Sequence, residues 1–198
     1  MFPEHTASND LLTSSLKRLQ QRISSATPAQ SIGARELYEQ IRRTLSRAIR
    51  EEVLRNGEYA VKRLLRLTRD PKEPAQGWLL TGGPHDFGRI AEPKLDTHFV
   101  RDDGGVVHFA MTLLERDART VEVLAYDFEV YFPSREPISF VRFDLNVLGH
   151  GNDEEGLRSH VHPGNDDLQL PSPVLEPSEA LLLLLYGCRP RRDVPRSS

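Results

Sequence analysis

The stretch Asp102-Asp103-Gly104-Gly105-Val106-Val107-His108-Phe109-Ala110-Met111-Thr112-Leu113 carries apolar residues at every second position after an acidic, glycine-rich turn. Strict alternation marks a strand with one buried face, and two acidic residues before two glycines give the backbone freedom of a hairpin connection. Val107, Phe109, Met111 and Leu113 are thereby assigned to the core, and Thr97-His98-Phe99-Val100 to the strand before the turn. Downstream, Asp117-Ala118-Arg119 turns the chain into Val121 to Phe132, where Leu124, Tyr126, Phe128, Val130 and Phe132 share a face. Pro133 to Pro137 makes a third turn before a strand from Ile138 to Val147. Consecutive hairpins of this kind predict an antiparallel β-meander of four to five strands.

Upstream the period becomes helical. Leu12, Leu16, Leu19 and Ile23 form one stripe, and Leu37, Ile41, Leu45, Ala48, Ile49 and Val53 form a longer one. On the opposite face of the longer helix, Glu39 with Arg43, Arg47 with Glu51, and Glu51 with Arg55 stand four apart and are expected to pair. Tyr59, Leu64, Leu65 and Leu67 predict a third short helix ending at Asp70-Pro71. Residues 71–95, rich in Pro and Gly, read as a connecting segment with one short strand around Trp78-Leu79-Leu80. Thr81-Gly82-Gly83-Pro84 lacks the Lys-Ser/Thr that a phosphate loop requires. Pro177 to Tyr186, apolar nearly all round, reads as a buried C-terminal helix. The predicted fold is α+β: N-terminal helices in an arm over 1–70, the connecting segment over 71–95, the sheet with a C-terminal helix packed on it over 96–188, and a basic disordered tail over 189–198.

No apolar run approaches the length of a membrane span, and the first residues lack the pattern of a signal peptide, so a cytoplasmic location is expected. A lone Cys188 excludes a disulfide framework and a thiolate zinc cage, leaving imidazole and carboxylate as metal ligands. The net charge of −3 is unevenly spread, with 13 Lys/Arg against 7 Asp/Glu over residues 1–69 and 9 against 21 over 70–188. A basic helical arm beside an acidic body suggests RNA or another acidic partner for Arg42, Arg43 and Arg47, a homo-oligomer formed through the helices, or docking of the arm on its own body.

Chemistry-bearing residues concentrate between Arg142 and Asp167. On Phe140-Val141-Arg142-Phe143-Asp144-Leu145-Asn146-Val147, alternation places Arg142, Asp144 and Asn146 on one face; His150 follows in a loop. On Arg158-Ser159-His160-Val161-His162 both imidazoles point to one side, just before the Pro163-Gly164 turn. If the two segments pair, their polar faces coincide. One reading is metal-free phosphodiester cleavage, with His160 and His162 as acid and base, Arg142 on phosphate, Asp144 orienting an imidazole, and Asn146 and His150 binding substrate. In a second reading His150, His160, His162 and Asp144 hold a divalent zinc or iron. A third leaves a surface ion pair and turn-capping histidines, in a non-catalytic binding module. The histidines lie outside the apolar stripes, so replacing them is expected to cost less than about 1 kcal/mol.

Val141-Arg142-Phe143-Asp144-Leu145-Asn146, His160-Val161-His162-Pro163-Gly164 and Glu179-Ala180-Leu181-Leu182, preceded by Tyr126-Asp127-Phe128-Glu129-Val130-Tyr131-Phe132, resemble the TumE family of toxins from bacterial toxin–antitoxin systems. The likeness covers residues 96–186. It implies a toxin or defence-type effector with a cognate antitoxin, acting on RNA; the His160 and His162 pair then suggests a ribonuclease. The spacing His160-x-His162-x3-Asp166 also resembles the first metal motif of cupins, although no Gly-rich strand with a further His follows it.

Overall fold

The computed structural model describes residues 29–30, 32–84, 93–117, 119–133, 139–151 and 155–189. The chain runs through β1 (Ala29–Gln30), α1 (Ala34–Arg50), α2 (Glu58–Leu64), β2 (Leu65–Arg69), β3 (Gly77–Gly82), β4 (Phe99–Val100), β5 (Val106–Asp117), β6 (Thr120–Tyr131), β7 (Phe140–Leu145), β8 (Ser159–His162), β9 (Leu170–Pro171) and α3 (Pro177–Leu182), which continues as a π-helical turn, Leu183–Gly187. The strands form one antiparallel sheet in the order β2-β3-β5-β6-β7-β8-β9, with β1 added to β6 and β4 to β5. The architecture is α+β.

The sheet exceeds the expected four to five strands at both edges. On one side, β2 pairs with β3 and β3 with β5, so that Leu67, Leu80 and Met111 are register partners across three strands. The short helix expected to run through Leu67 ends instead at Leu64, and the chain becomes extended. A short apolar run followed by Arg66, Thr68 and Arg69 fits either period, and pairing with β3 decides it. An arm boundary at residue 70 would therefore fall inside a hairpin that pairs Arg69 with Trp78, where the Arg69 guanidinium lies 3.7 Å from the indole centroid.

The two glycines after Thr81 have structural roles. A Cβ on Gly82 would stand 2.2 Å from the Phe109 ring, and Gly83 has a positive φ of 82°. In β6 the expected face is interrupted. Thr112 pairs with Ala125 but Leu113 pairs with Val123, so a bulge at Leu124 shifts the parity and buries Val123 and Val121 in place of Leu124.

One core joins helices and sheet. Leu37, Ile41 and Leu45 of α1 pack in the same cluster as Phe99, Phe109, Met111, Phe128 and Val130, and with Ala180, Leu181, Leu184 and Leu185 from the C-terminal helix. Phe109 stacks on Phe128 with centroids 5.2 Å apart. Arg101, wholly buried, is gripped by Asp103 and donates to the Leu184 carbonyl, which ties the β4–β5 turn to the C-terminal helix. Of the expected tail only Arg189 is described, bonded to Asp102; the Leu12 to Ile23 stripe lies outside the described residues. Among the described residues, no helix is long and apolar enough to cross a membrane.

Candidate metal centre

Antiparallel pairing of β7 and β8 sets Asp144 opposite His160 and Arg142 opposite His162. The rows continue into β6 and β5, with Asp127 beside Asp144, Glu129 beside Arg142, Ala110 beside Asp127 and His108 beside Glu129. Phe128, Val130 and Leu145 of the same strands are buried in the core, so alternation turns these polar residues to the other face of the sheet. Asp127, Glu129 and His108 received no role from the sequence. The signal that finds them is the alternation of Asp127 and Glu129 with Tyr126, Phe128 and Val130, read together with the pairing of β6 to β7.

Asp144, His160 and His162 form the one group of three potential metal ligands among the described residues. His160 Nε2 and His162 Nε2 are 3.0 Å apart, and Asp144 Oδ2 lies 3.5 Å from the first and 3.1 Å from the second. Both imidazoles are buried, with side chains only 2% and 3% exposed, which replaces the expected surface setting of the pair. The far nitrogens fix the tautomers: His160 Nδ1 is 2.7 Å from the Leu157 carbonyl oxygen and His162 Nδ1 is 3.3 Å from that of Asn165. A carbonyl only accepts, so each Nδ1 carries the proton and, in a neutral ring, each Nε2 presents a lone pair. Two lone pairs and a carboxylate oxygen thus converge on one point, an arrangement that a cation stabilises. Burial lowers the pKa of His160, which disfavours a proton as that cation. Ligand bonds of about 2.0–2.2 Å around one metal place neighbouring donors about 3.0–3.5 Å apart, the spacing found here.

Arg142 adjoins this group, with Nε 2.9 Å from Asp144 Oδ2, Nη1 3.5 Å from Glu129 Oε2 and Nη2 2.9 Å from Asp166 Oδ1. Asp166 thus contacts Arg142, and the carboxylate beside the imidazoles is that of Asp144, not the one in the cupin-type spacing. A cavity of about 630 Å³ opens next to the cluster, where Thr81, Ala110, Thr112 and Ala125 supply short side chains, with Asp127, Arg142 and Asp144 at its wall. Asn146 and His150 also line it; His150 is exposed and stands outside the ligand group. Asp127 Oδ1 is buried with no hydrogen-bond partner among the described residues. Burial, with the neighbouring Asp144 charge, raises the Asp127 carboxyl to about 7, and burial raises Glu129 to about 7.

The arginines of α1 are elsewhere. The helix packs on the apolar face of the sheet, and its basic side is answered locally: Arg42 bonds Glu39 and Arg47 bonds Glu51, each at 2.7 Å. Glu39 takes Arg42 rather than the expected Arg43, and the second partner of Glu51 is the Tyr186 hydroxyl rather than Arg55. Arg43 borders a separate hollow with Glu36, Glu39 and Glu115.

Fold and cluster together define an α+β protein with two histidines and one carboxylate gathered on the polar face of an antiparallel sheet. Compared with models of known protein families, with curated proteins and with solved structures, the chain matches none.

Proposed function

We propose that Asp144, His160 and His162 hold one divalent metal ion and that the protein is a metal-dependent hydrolase. The observation that carries this reading is the convergence of two imidazole Nε2 atoms and one carboxylate oxygen within 3.5 Å of one another, with both Nδ1 protons held by backbone carbonyls. Three protein ligands leave a coordination position for water or substrate, the mark of a catalytic rather than a structural site. A metal there supplies Lewis acidity and lowers the pKa of bound water. The adjoining cavity gives a substrate access, and Asp127, at its wall with a buried oxygen free of hydrogen bonds among the described residues, is placed to transfer a proton. Metal-free acid–base cleavage needs the two imidazoles on opposite sides of a phosphate, and a separation of 3.0 Å leaves no space for one. The metal set is therefore preferred, without His150.

The likeness of the Arg142, Asp144, His160 and His162 motifs to TumE toxins supplies RNA as the substrate to test and an antitoxin as the expected partner. Protein dialysed against zinc should retain about one ion per chain by elemental analysis, and Asp144→Ala and His162→Ala should each lose it. The loaded protein should cleave RNA, and chelator should stop it. Failure of the wild-type chain to retain zinc, iron or manganese overturns the metal centre. Retention without RNA cleavage overturns the substrate alone.

A further inference from the structure

We propose that the Arg142 guanidinium is the binding point for a phosphate group of the substrate, and that Asp166 occupies this point as an internal stand-in until the substrate displaces it. The inference rests on the metal-centre reading above. Among the described residues, three carboxylates contact the guanidinium. Those of Glu129 and Asp144 come from adjacent strands, are 8% and 13% exposed, and are fixed by sheet register. Asp166 differs: it hangs from the turn after β8, is 69% exposed, and still reaches Nη2 at 2.9 Å. An ion pair with one partner so exposed is weak, and its carboxylate returns to water at little cost.

The arrangement of charge gives the displacement a direction. Arg142, Asp144 and Asp166 all line the same cavity. A divalent cation on the Asp144 group would add two positive charges, which with Arg142 balance Asp144, Glu129 and Asp127 even when all three carboxylates are ionised. With the metal bound, the guanidinium edge that Asp166 covers would no longer lie in net negative surroundings. Its forked donors fit phosphate oxygens, and a tetrahedral anion can place one oxygen on Arg142 and another toward the metal.

The test uses the full chain loaded with one equivalent of zinc, freed of excess metal and titrated calorimetrically with inorganic phosphate. Asp166→Ala should bind phosphate more tightly than the wild type by about fivefold, the scale of one partly exposed ion pair. Asp167→Ala removes a neighbouring exposed charge without such a contact and should leave affinity within about twofold. Equal effects of the two substitutions, or no effect of Asp166→Ala, overturn the inference while zinc retention keeps the metal centre. Loss of zinc from the wild type removes the reading on which it rests. Acetate titrated in parallel separates the anion classes, and binding tighter than that of phosphate overturns the phosphate assignment. A second variant, Asp166→Asn, keeps the side-chain shape and should show the same direction of change.

Discussion

Asp127 shows how a single side chain on this sheet is held out of its ordinary state. Its carboxyl, like that of Glu129, is raised to about 7, whereas an unfolded chain titrates such groups near 4. The folded protein therefore binds these protons more strongly. The stabilisation is fully present below about pH 4 and is lost as pH rises through about 7. In chelator, so that no metal offsets the charge, Asp127→Asn should be more stable than the wild type at pH 8 by at least about 1 kcal/mol and should show a flatter loss of stability between pH 5 and 8. Urea unfolding at the two pH values measures this, and identical pH dependence in wild type and variant would exclude a strained Asp127. The residues of the cluster were legible in the sequence, because period two aligns Arg142 with Asp144 and His160 with His162. Asp127 and Glu129 were not, since acidic residues alternating with Phe128 and Val130 equally describe an ordinary solvated face.

At the level of elements, local pattern and pairing compete. Gly82 ends β3 under the Phe109 ring, which is itself stacked on Phe128 in the core. Gly82→Ala has no empty volume to use and should cost about 1–3 kcal/mol, as overpacking does. Gly151 is the control: an added methyl group there would meet nothing within 4 Å among the described residues, and Gly151→Ala should stay within about 0.5 kcal/mol. Equal stabilities of the two variants in urea would sink the close-approach account. The alternation in Val107 to Leu113 predicted its strand because Val107, Phe109, Met111 and Leu113 belong to the core shared with the helices. The face through Leu124 failed at the bulge, where one extra residue reverses the parity and no local signal marks it. Leu65 to Arg69 failed for a related reason: five residues are too few to establish a period, and the strand exists because β3 offers it partners.

For the whole molecule, the question is whether the first 70 residues are an appendage or part of the body. Leu37, Ile41 and Leu45 are fully buried in the common core, and β2 completes one edge of the sheet. A fragment beginning at Pro71 should therefore show no cooperative thermal unfolding by circular dichroism, because it leaves the apolar face around Phe128 uncovered; a sharp transition would restore the appendage reading. It follows that any RNA contact by Arg42, Arg43 and Arg47 is tested by charge reversal in the full chain, not by truncation. The amino-acid sequence by itself determined the helical and alternating periods, the central hairpins and the polar rows around Asp144 and His160, since each follows from the spacing of side chains along a regular backbone. Only the tertiary structure decided that β2 and β3 join the sheet, that β6 changes parity, and that three donor atoms from two strands meet at one point while Asp166 goes to Arg142. Those outcomes depend on register between segments distant in the chain, where the free energy lies in pairing and burial rather than in any residue's own preference.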